Sequence, residues 1–464
     1  MSLQFITGNS GNGKTKYLFN RIVKEAKANP RGNYLVIVPE QFTMQTQRQL
    51  VDLSENKAIM NIDVLSFKRL AYRVFDELGI TNLTVLEETG KNLVLRKLAA
   101  QEADKLGVIG RNLNRIGYIS EVKSLLSELV QYNISPEELG RYIASGRLSD
   151  TLSDKLKDVL VLYEAFEKFM QDKYITAEEI LNVLSNVAEE SAILRNSVIA
   201  FDEFTGFTPI QNQLIKKLFV ISKKIYVTLT IDCREDIFKS RGMQELFDMP
   251  KRTVKSLTEM AAFHGIEVEE PIILDKNYRL AENEELSFME QQLFRKRRCS
   301  FKKVPKHIHI DCLRDPKQEL TKIARRINEL VRNENLRYRD IAIVTGDVNI
   351  YAGYVREIFD KYNIPYFIDA TQEILFHEFI RSIPDIAAQH FSADAVFRFL
   401  RCGFTELSAS EIDVLENYVL ACGVRGKSAW DKKWVRLPKH KAGYDLELLN
   451  QSREYIMELL KPVY

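Results

Sequence analysis

The sequence has no apolar run long enough to cross a bilayer as a helix, which excludes a helical membrane protein. Its first residues, MSLQFITG, carry no basic segment and no small-residue cleavage site. No secretory leader is expected, and a cytoplasmic location is. Cysteine is scarce: Cys233, Cys299, Cys312, Cys402 and Cys422 lie far apart, are odd in number and form no C-x-x-C pair. That excludes a disulfide framework and fits reduced thiols. Net charge is nearly absent, at 66 Lys+Arg against 64 Asp+Glu. Only local clusters of charge could therefore attract nucleic acid. What remains is an ordinary globular composition, 45% hydrophobic and 28% charged, over 464 residues. At about 150 residues per domain, this length predicts about three domains.

The chain opens as strand, glycine-rich loop, helix and strand. Leu3–Thr7 is short and apolar, residues 8–13 form the loop, and a helix is expected from Lys14 to about Ala28. Tyr34–Val38 is a continuous apolar run, as in a strand buried on both faces of a parallel sheet. This βαβ pattern predicts an α/β fold. From about 87 to 194 the period changes. Val122, Leu125, Leu126, Leu129 and Val130 mark one amphipathic helix, and Leu152, Leu156, Val159, Leu160 and Tyr163 another, so a helical insertion is expected. Strand patterns return at Ser197–Phe201 and Lys224–Thr230. A second α/β unit is expected from about His307, with strands at Ile308–Leu313, Ile341–Thr345 and Tyr366–Ile368 and helices at Gln318–Arg332 and Val348–Tyr362. After Asp369 the pattern is helical.

Gly8, Asn9, Ser10, Gly11, Asn12, Gly13, Lys14 and Thr15 spell G-x-x-x-x-G-K-[ST] between a strand and a helix. Glycines let backbone N–H groups converge into an anion nest at a helix N-terminus. Lys14 is then expected to reach the β- and γ-phosphates of ATP, and the Thr15 hydroxyl to ligate Mg²⁺. A second acidic site should end another strand. Val198–Phe201 leads into Asp202, the candidate metal-side carboxylate, and Glu203, the candidate base for water. Lys14 and Asp202 are 202 − 14 = 188 residues apart, too far for a compact small-molecule kinase.

These residues resemble superfamily 1 helicases of the UvrD type. The run from Phe201 to Gln211 follows that family's D-E-F-Q-D-x-x-x-x-Q, placing Gln211 as a nucleotide contact, and Leu274–Arg279 resembles L-x-x-N-Y-R. The resemblance implies RecA-like parallel sheets with helical insertions, and an arginine finger, Arg279, reaching the γ-phosphate from a second motor domain. The other reading of Arg279 is a surface ion pair. Segments 38–43, 64–72, 362–369 and 411–427 are similar to the B-subunit family of the AddAB (RexAB) helicase–nucleases. That likeness implies a first motor domain over 1–86 and 195–275, a helical insertion over 87–194, part of a second motor domain over 276–370, and a second, incomplete helical insertion over 371–464. It further implies ATP and Mg²⁺ as cofactors, an A subunit as partner, and double-stranded ends and single-stranded DNA as ligands in break repair, with no membrane. Its nuclease domain with a 4Fe–4S cluster is not in this chain. Three departures stand out: Thr205-Gly206 replaces Gln-Asp, Ile231-Asp232 stands in for G-D-x-x-Q, and no adenine-reading glutamine precedes the loop. They point to a degenerate motor.

Several features carry two readings. Arg295, Lys296, Arg297 and Arg298 open a basic run to Lys303, either a phosphate contact or a solvated linker. Trp430 and Trp434, flanked by Lys432 and Lys433, could stack bases or anchor a helical core. Phe42 and Thr43 are DNA contacts by resemblance, or a helix staple and cap. His307 and His309 share a strand face that is more simply solvated than metal-binding. Two other functions compete with an ATP-hydrolysing subunit: a nucleotide-locked scaffold that reads the Chi signal in DNA, and a stand-alone P-loop phosphotransferase.

Overall fold

The computed structural model describes residues 1–80, 84–110, 116–146, 148–170, 174–295, 299–368, 375–438 and 444–463. They divide into two units, Met1–His309 and Ile310–Tyr464. The first is built on a seven-stranded sheet. In chain order its strands are β1 (Ser2–Gly8), β2 (Tyr34–Ile37), β3 (Ile62–Leu65), β6 (Val198–Phe201), β7 (Lys224–Thr230), β8 (Glu267–Val268) and β9 (Ile272–Leu274). The order across the sheet is β3-β2-β6-β7-β1-β8, with β9 also on β1, and every pairing is parallel. A pair β4 (Val85–Leu86) and β5 (Ile175–Thr176) stands apart.

Alternation along the strands explains why the sheet is covered twice. Val36, Val198, Ala200 and Tyr226 pack against α1 (Lys14–Ala28) and α2 (Thr43–Leu53) on one face. Their neighbours Leu35, Ile37, Ile199 and Phe201 pack on the other, against α3 (Phe67–Leu78), α8 (Ile180–Val187), α9 (Pro209–Ile221) and α10 (Asp248–Phe263). A period of two with both phases apolar is the mark of a strand buried on both sides. This parallel α/β architecture is the expected fold class.

Between β4 and β5 the chain forms α4 (Glu88–Gln101), α5 (Ile116–Gln131), α6 (Pro136–Ala144) and α7 (Asp150–Met170), which share a core of their own. Lys91, 2% exposed, sits in that core between Glu88 at 2.9 Å and Glu178 at 2.7 Å. The following α8 already belongs to the sheet, with Ile180 and Leu184 in its core. Helical periodicity alone does not say which core a helix serves. α11 (Glu284–Gln292) closes the set of helices in the first unit.

In the second unit α12 (Pro316–Asn333) and α13 (Val348–Lys361) pack through Leu320, Ala324, Ile327, Val355, Ile358 and Phe359. α14 (Leu375–Ala388), α15 (Ala393–Leu400), α16 (Ala409–Cys422), α17 (Lys427–Asp431) and α18 (Leu446–Leu459) surround another core. The strands expected at 308–313, 341–345 and 366–368 do not form: these segments have no ladder among the described residues. Ile310, Val344 and Phe367 lie open, 94%, 92% and 92% exposed, while Ile341 and Ile368 pack on the core of α12 and α13. A strand pattern specifies a strand only where a partner supplies the backbone hydrogen bonds. No described helix is long and apolar enough to cross a membrane.

Candidate functional site

The loop after β1 turns over the N-terminus of α1, which begins at Lys14 behind Gly13. Lys14 Nζ donates to the Asn9 carbonyl at 3.0 Å, closing the loop on itself. Burial lowers the pKa of the Lys14 ammonium, while Glu203 and Asp202 act to raise it. An ammonium poised there, with the backbone N–H groups of a helix start, is built to meet an anion.

The acids arrive by sheet register. Phe201 pairs with Val227, so Asp202 comes level with Thr228 on the strand that lies between β6 and β1. The Thr228 hydroxyl donates to Asp202 Oδ1, and Thr15 Oγ1 lies 3.3 Å from the same oxygen and 3.4 Å from Glu203 Oε1. Asp202 is 1% exposed, and its Oδ2 is buried with no partner among the described residues. A buried carboxylate oxygen left open beside a threonine hydroxyl is a hard-oxygen donor set that fits Mg²⁺ and its water shell. Glu203 is exposed and holds φ +64°, a left-handed conformation that costs a non-glycine residue about 1 kcal/mol or more. The turn thus aims its carboxylate into the cleft at the expense of backbone strain.

Burial pushes the Asp202 carboxyl up, with Glu203 adding to it and the Thr228 and Thr15 hydroxyls opposing. A raised carboxyl favours the protonated folded state, so stability is lost as pH rises above the ordinary carboxylate value, and the loss is complete once pH passes the raised one. Asp202→Asn is therefore expected to stabilise the ligand-free chain, with the gain growing as pH rises from the ordinary carboxylate range and vanishing at acid pH. Urea melts at two pH values check this.

A segment that sequence spacing did not connect to the loop clasps it from above. β9 extends the edge of β1, and Asn12 Nδ2 donates to the Leu274 carbonyl at 2.6 Å. Tyr278 N donates to the Gly11 carbonyl at 3.0 Å, and Asn277 Nδ2 to the Ser10 carbonyl at 2.9 Å. A Cβ at Gly8 would stand 2.6 Å from the Leu274 carbonyl, and one at Gly11 2.8 Å from Arg279 Cβ. Asn9, 5% exposed, donates to Glu290 at 2.7 Å and accepts from Cys233 N at 2.9 Å. Together they enclose a cleft of about 680 Å³ lined by Ser10, Gly11, Gly13, Lys14, Thr15, Asp202, Glu203, Thr228, Tyr278 and Arg279, and extending to α2. Tyr278 is 66% exposed; its ring lies over Gly13, with Lys276 Nζ 5.0 Å from the ring centroid. Arg279 reaches the loop from within the first unit, not from a separate one.

Other expected contacts fall elsewhere. The Gln211 side chain accepts from Thr208 N at 2.9 Å, in a capping box at the start of α9, and does not line the cleft. Its spacing from Thr208 is a helix-start signature, which competed with the nucleotide reading. Phe42 packs on the sheet core, and Thr43 is buried with its hydroxyl donating to the Glu40 carbonyl; α2 has no side-chain cap. Trp430 and Trp434 are 0% and 7% exposed in the core of the second unit, so neither ring can stack on a base there. Lys432 and Lys433 are exposed. Lys296, Arg297 and Arg298 lie outside the described residues. His307 and His309 are exposed, and no group of three or more His, Cys, Asp or Glu suited to a metal occurs among the described residues.

Arg295 is no free phosphate contact. Its Nε and Nη2 reach Asp232 Oδ2 at 3.1 and 3.0 Å, and its guanidinium lies over the Phe247 ring at 4.9 Å. Arg234 takes the same carboxylate with two nitrogens, at 2.9 and 2.6 Å. Burial alone would raise the Asp232 carboxyl, but Arg234 and then Arg295 outweigh it and hold it at about 2. Arg295→Ala is expected to lower stability by about 1–3 kcal/mol, since Arg234 still satisfies Asp232, and to leave the salt dependence of DNA binding unchanged. Denaturant unfolding and a salt titration check the two halves.

The model of the family described as "ADDB, N-terminal" matches residues 5–290. A protein of Lachnoclostridium phytofermentans, named as the B subunit of an ATP-dependent helicase/deoxyribonuclease, is 39% identical over 474 aligned residues, covering 100% of this chain and 41% of that protein. Proteins of the same name from Clostridium acetobutylicum and Clostridium tetani are 34% and 33% identical, over 94% and 100% of this chain and 38% and 40% of their own. The chain thus spans about two fifths of the relatives it matches.

Proposed function

Because this chain belongs to the ADDB N-terminal family, we propose that it is the nucleotide-binding, helicase-like region of the B subunit of an ATP-dependent helicase/deoxyribonuclease. In this reading it works in the cytoplasm with an A subunit, on double-stranded ends and the single strands drawn from them, in recombinational repair. In the same reading the deoxyribonuclease activity, with a 4Fe–4S cluster, would reside outside these residues. The observation that carries the reading is the convergence of Lys14, Thr15, Asp202 and Glu203 on one cleft, with Asp202 Oδ2 buried and unpaired among the described residues.

Each residue then has one task. Lys14 exchanges the Asn9 carbonyl for phosphate oxygens. Thr15 and Asp202 would hold Mg²⁺, which supplies charge neutralisation at the phosphates when bound. Glu203 accepts a proton from the attacking water at its carboxylate, and Arg279 faces the phosphate end from the clasp. Tyr278 offers its ring to the base. For DNA, the exposed Lys432 and Lys433 are the remaining candidates among the described residues.

A specific observation also favours a scaffold that binds nucleotide without driving translocation, and so locks the protein on DNA for reading Chi. Asp232, where a helicase has its coupling motif, is committed to Arg234 and Arg295. Thr205-Gly206 stands where a helicase has Gln-Asp. A stand-alone phosphotransferase has no such support. Assembly of the full-length protein with its A-subunit partner, followed by nucleotide and forked-DNA binding with and without Lys14→Ala, tests the proposal. If the substitution changes nucleotide occupancy at this chain, it stands. If occupancy is unaffected, it fails.

A further inference from the structure

The phosphate loop has a second hold on it, at Asn9. The Asn9 side chain is buried and tied at both ends. Its Oδ1 accepts from Cys233 N at 2.9 Å, just past β7, and its Nδ2 donates to Glu290 Oε1 on α11 at 2.7 Å. Glu290 is 281 residues away in the chain. It is held in its turn: Arg295 Nη2, fixed to Asp232, stands 4.0 Å from the same oxygen, and Arg234 Nη2 donates to the neighbouring Gln291 carbonyl at 3.2 Å. The Asn9 carbonyl meanwhile accepts from Asn12 N at 3.2 Å and from Lys14 Nζ at 3.0 Å. One residue thus places both the turn of the loop and the resting ammonium, and α11 places that residue.

We propose that Glu290 is a positioning residue for the triphosphate, acting through Asn9 to keep the loop in the shape that receives phosphates. The proposal rests on the nucleotide reading of the loop given above. When Lys14 leaves for phosphate oxygens, the Asn9 carbonyl keeps the Asn12 N–H, and the two side-chain bonds keep Asn9 where it is. A loop already held binds without a further ordering cost, whereas a loop released from Glu290 bears that cost on binding. Glu290 helps the ligand as an acceptor and hinders it as a charge. Burial lowers the Lys14 pKa and Glu290 is among the carboxylates opposing this, so its charge is felt at the phosphate end. The two roles have opposite signs, and substitution separates them. Linkage adds a second consequence: the factor that Glu290 gives to nucleotide binding is the factor that nucleotide gives back to the Glu290 contact.

The test is calorimetric titration of this chain and its Glu290 variants with Mg-ATP, together with hydrogen exchange over α11. Glu290→Ala is expected to weaken Mg-ATP about five- to tenfold, through loss of a hydrogen bond to a charged acceptor. Glu290→Gln keeps an acceptor for Asn9 Nδ2 and drops the charge, so it is expected to bind at least as tightly as the parent. In the parent, Mg-ATP should slow amide exchange in α11 by about the same five- to tenfold, and in Glu290→Ala it should not. A role confined to the stability of α11 predicts no such nucleotide dependence. Tighter binding by both variants would leave Glu290 a charge alone and overturn the assignment. So would equal weakening in both, no change in Glu290→Ala, or α11 exchange in the parent that ignores Mg-ATP. Should Glu290→Ala not fold, Glu290→Gln and the parent's exchange decide. A parent that binds no Mg-ATP overturns the nucleotide reading itself, and this inference with it.

Discussion

Replacing Lys14 by alanine is expected to remove at least half of the stabilisation that Mg-ATP gives the first unit. A ligand held at about a hundred times its Kd adds about 2.7 kcal/mol to the folded state. For a unit of this size that is a shift of about 4 °C in Tm. Charge-assisted hydrogen bonds contribute about 1.5–3 kcal/mol each, so loss of the ammonium should weaken ATP about 10- to 100-fold. At the same ligand concentration, between about half and about a sixth of the shift then survives. The ligand-free protein should melt near the parent, because Lys14 is bound only to its own loop, at the Asn9 carbonyl. Differential scanning fluorimetry with and without Mg-ATP reads both. An undiminished shift in the variant would remove Lys14 from the phosphate site.

Gly11→Ala is expected to be the most disruptive small change in the clasp. Gly11 has φ +88°, where an L-residue is strained by about 1–2 kcal/mol. Its new Cβ would also stand 2.8 Å from Arg279 Cβ and from Asn277 Oδ1. The Arg279 Cβ is fixed to the backbone, so it cannot step aside as a side-chain end could. Overpacking of this kind adds about 1–3 kcal/mol. The clasp can relieve it by lifting the 275–280 segment, at the loss of the bonds from Tyr278 N and Asn277 Nδ2. Faster hydrogen exchange over 275–292 is then expected, together with weaker nucleotide binding. Gly79→Ala is the control. It shares a positive φ, +70°, but its Cβ meets nothing within 4 Å, so it carries the backbone cost alone. Equal effects at the two glycines would show that strain, and not the clasp, matters at Gly11.

The parts of the site legible in the sequence were those set by local spacing. The loop from Gly8 to Thr15 and the apolar run ending at Asp202-Glu203 each fix their own geometry, and the sheet brings them together. Arg279 was placed near the phosphates by resemblance and lines the cleft, though from the first unit. Illegible were the groups whose role depends on a distant partner. Arg295 looks like the start of a basic face until Asp232, 63 residues earlier, turns out to hold it. Trp430 among lysines looks like a stacking platform until the helices around it close. Thr228 carried no signal of its own, since its strand also holds Lys224, Tyr226 and Thr230. The strands expected after His307 show the opposite limit: alternation there is genuine, but a ladder needs a second strand that no local pattern supplies.

If the cleft works as proposed, Thr15 and Asp202 complete a divalent-metal site on a bound nucleotide. The binding of Mn²⁺ to this chain in the presence of ATP, read by electron paramagnetic resonance, probes that site without any assay of turnover. The parent and Asp202→Asn are compared. One Mn²⁺ per chain is expected in the parent, dependent on ATP, and weakened at least tenfold in the variant, whose fold should be no less stable. Mn²⁺ bound equally well by both proteins, or not bound at all with ATP present, would rule the site out.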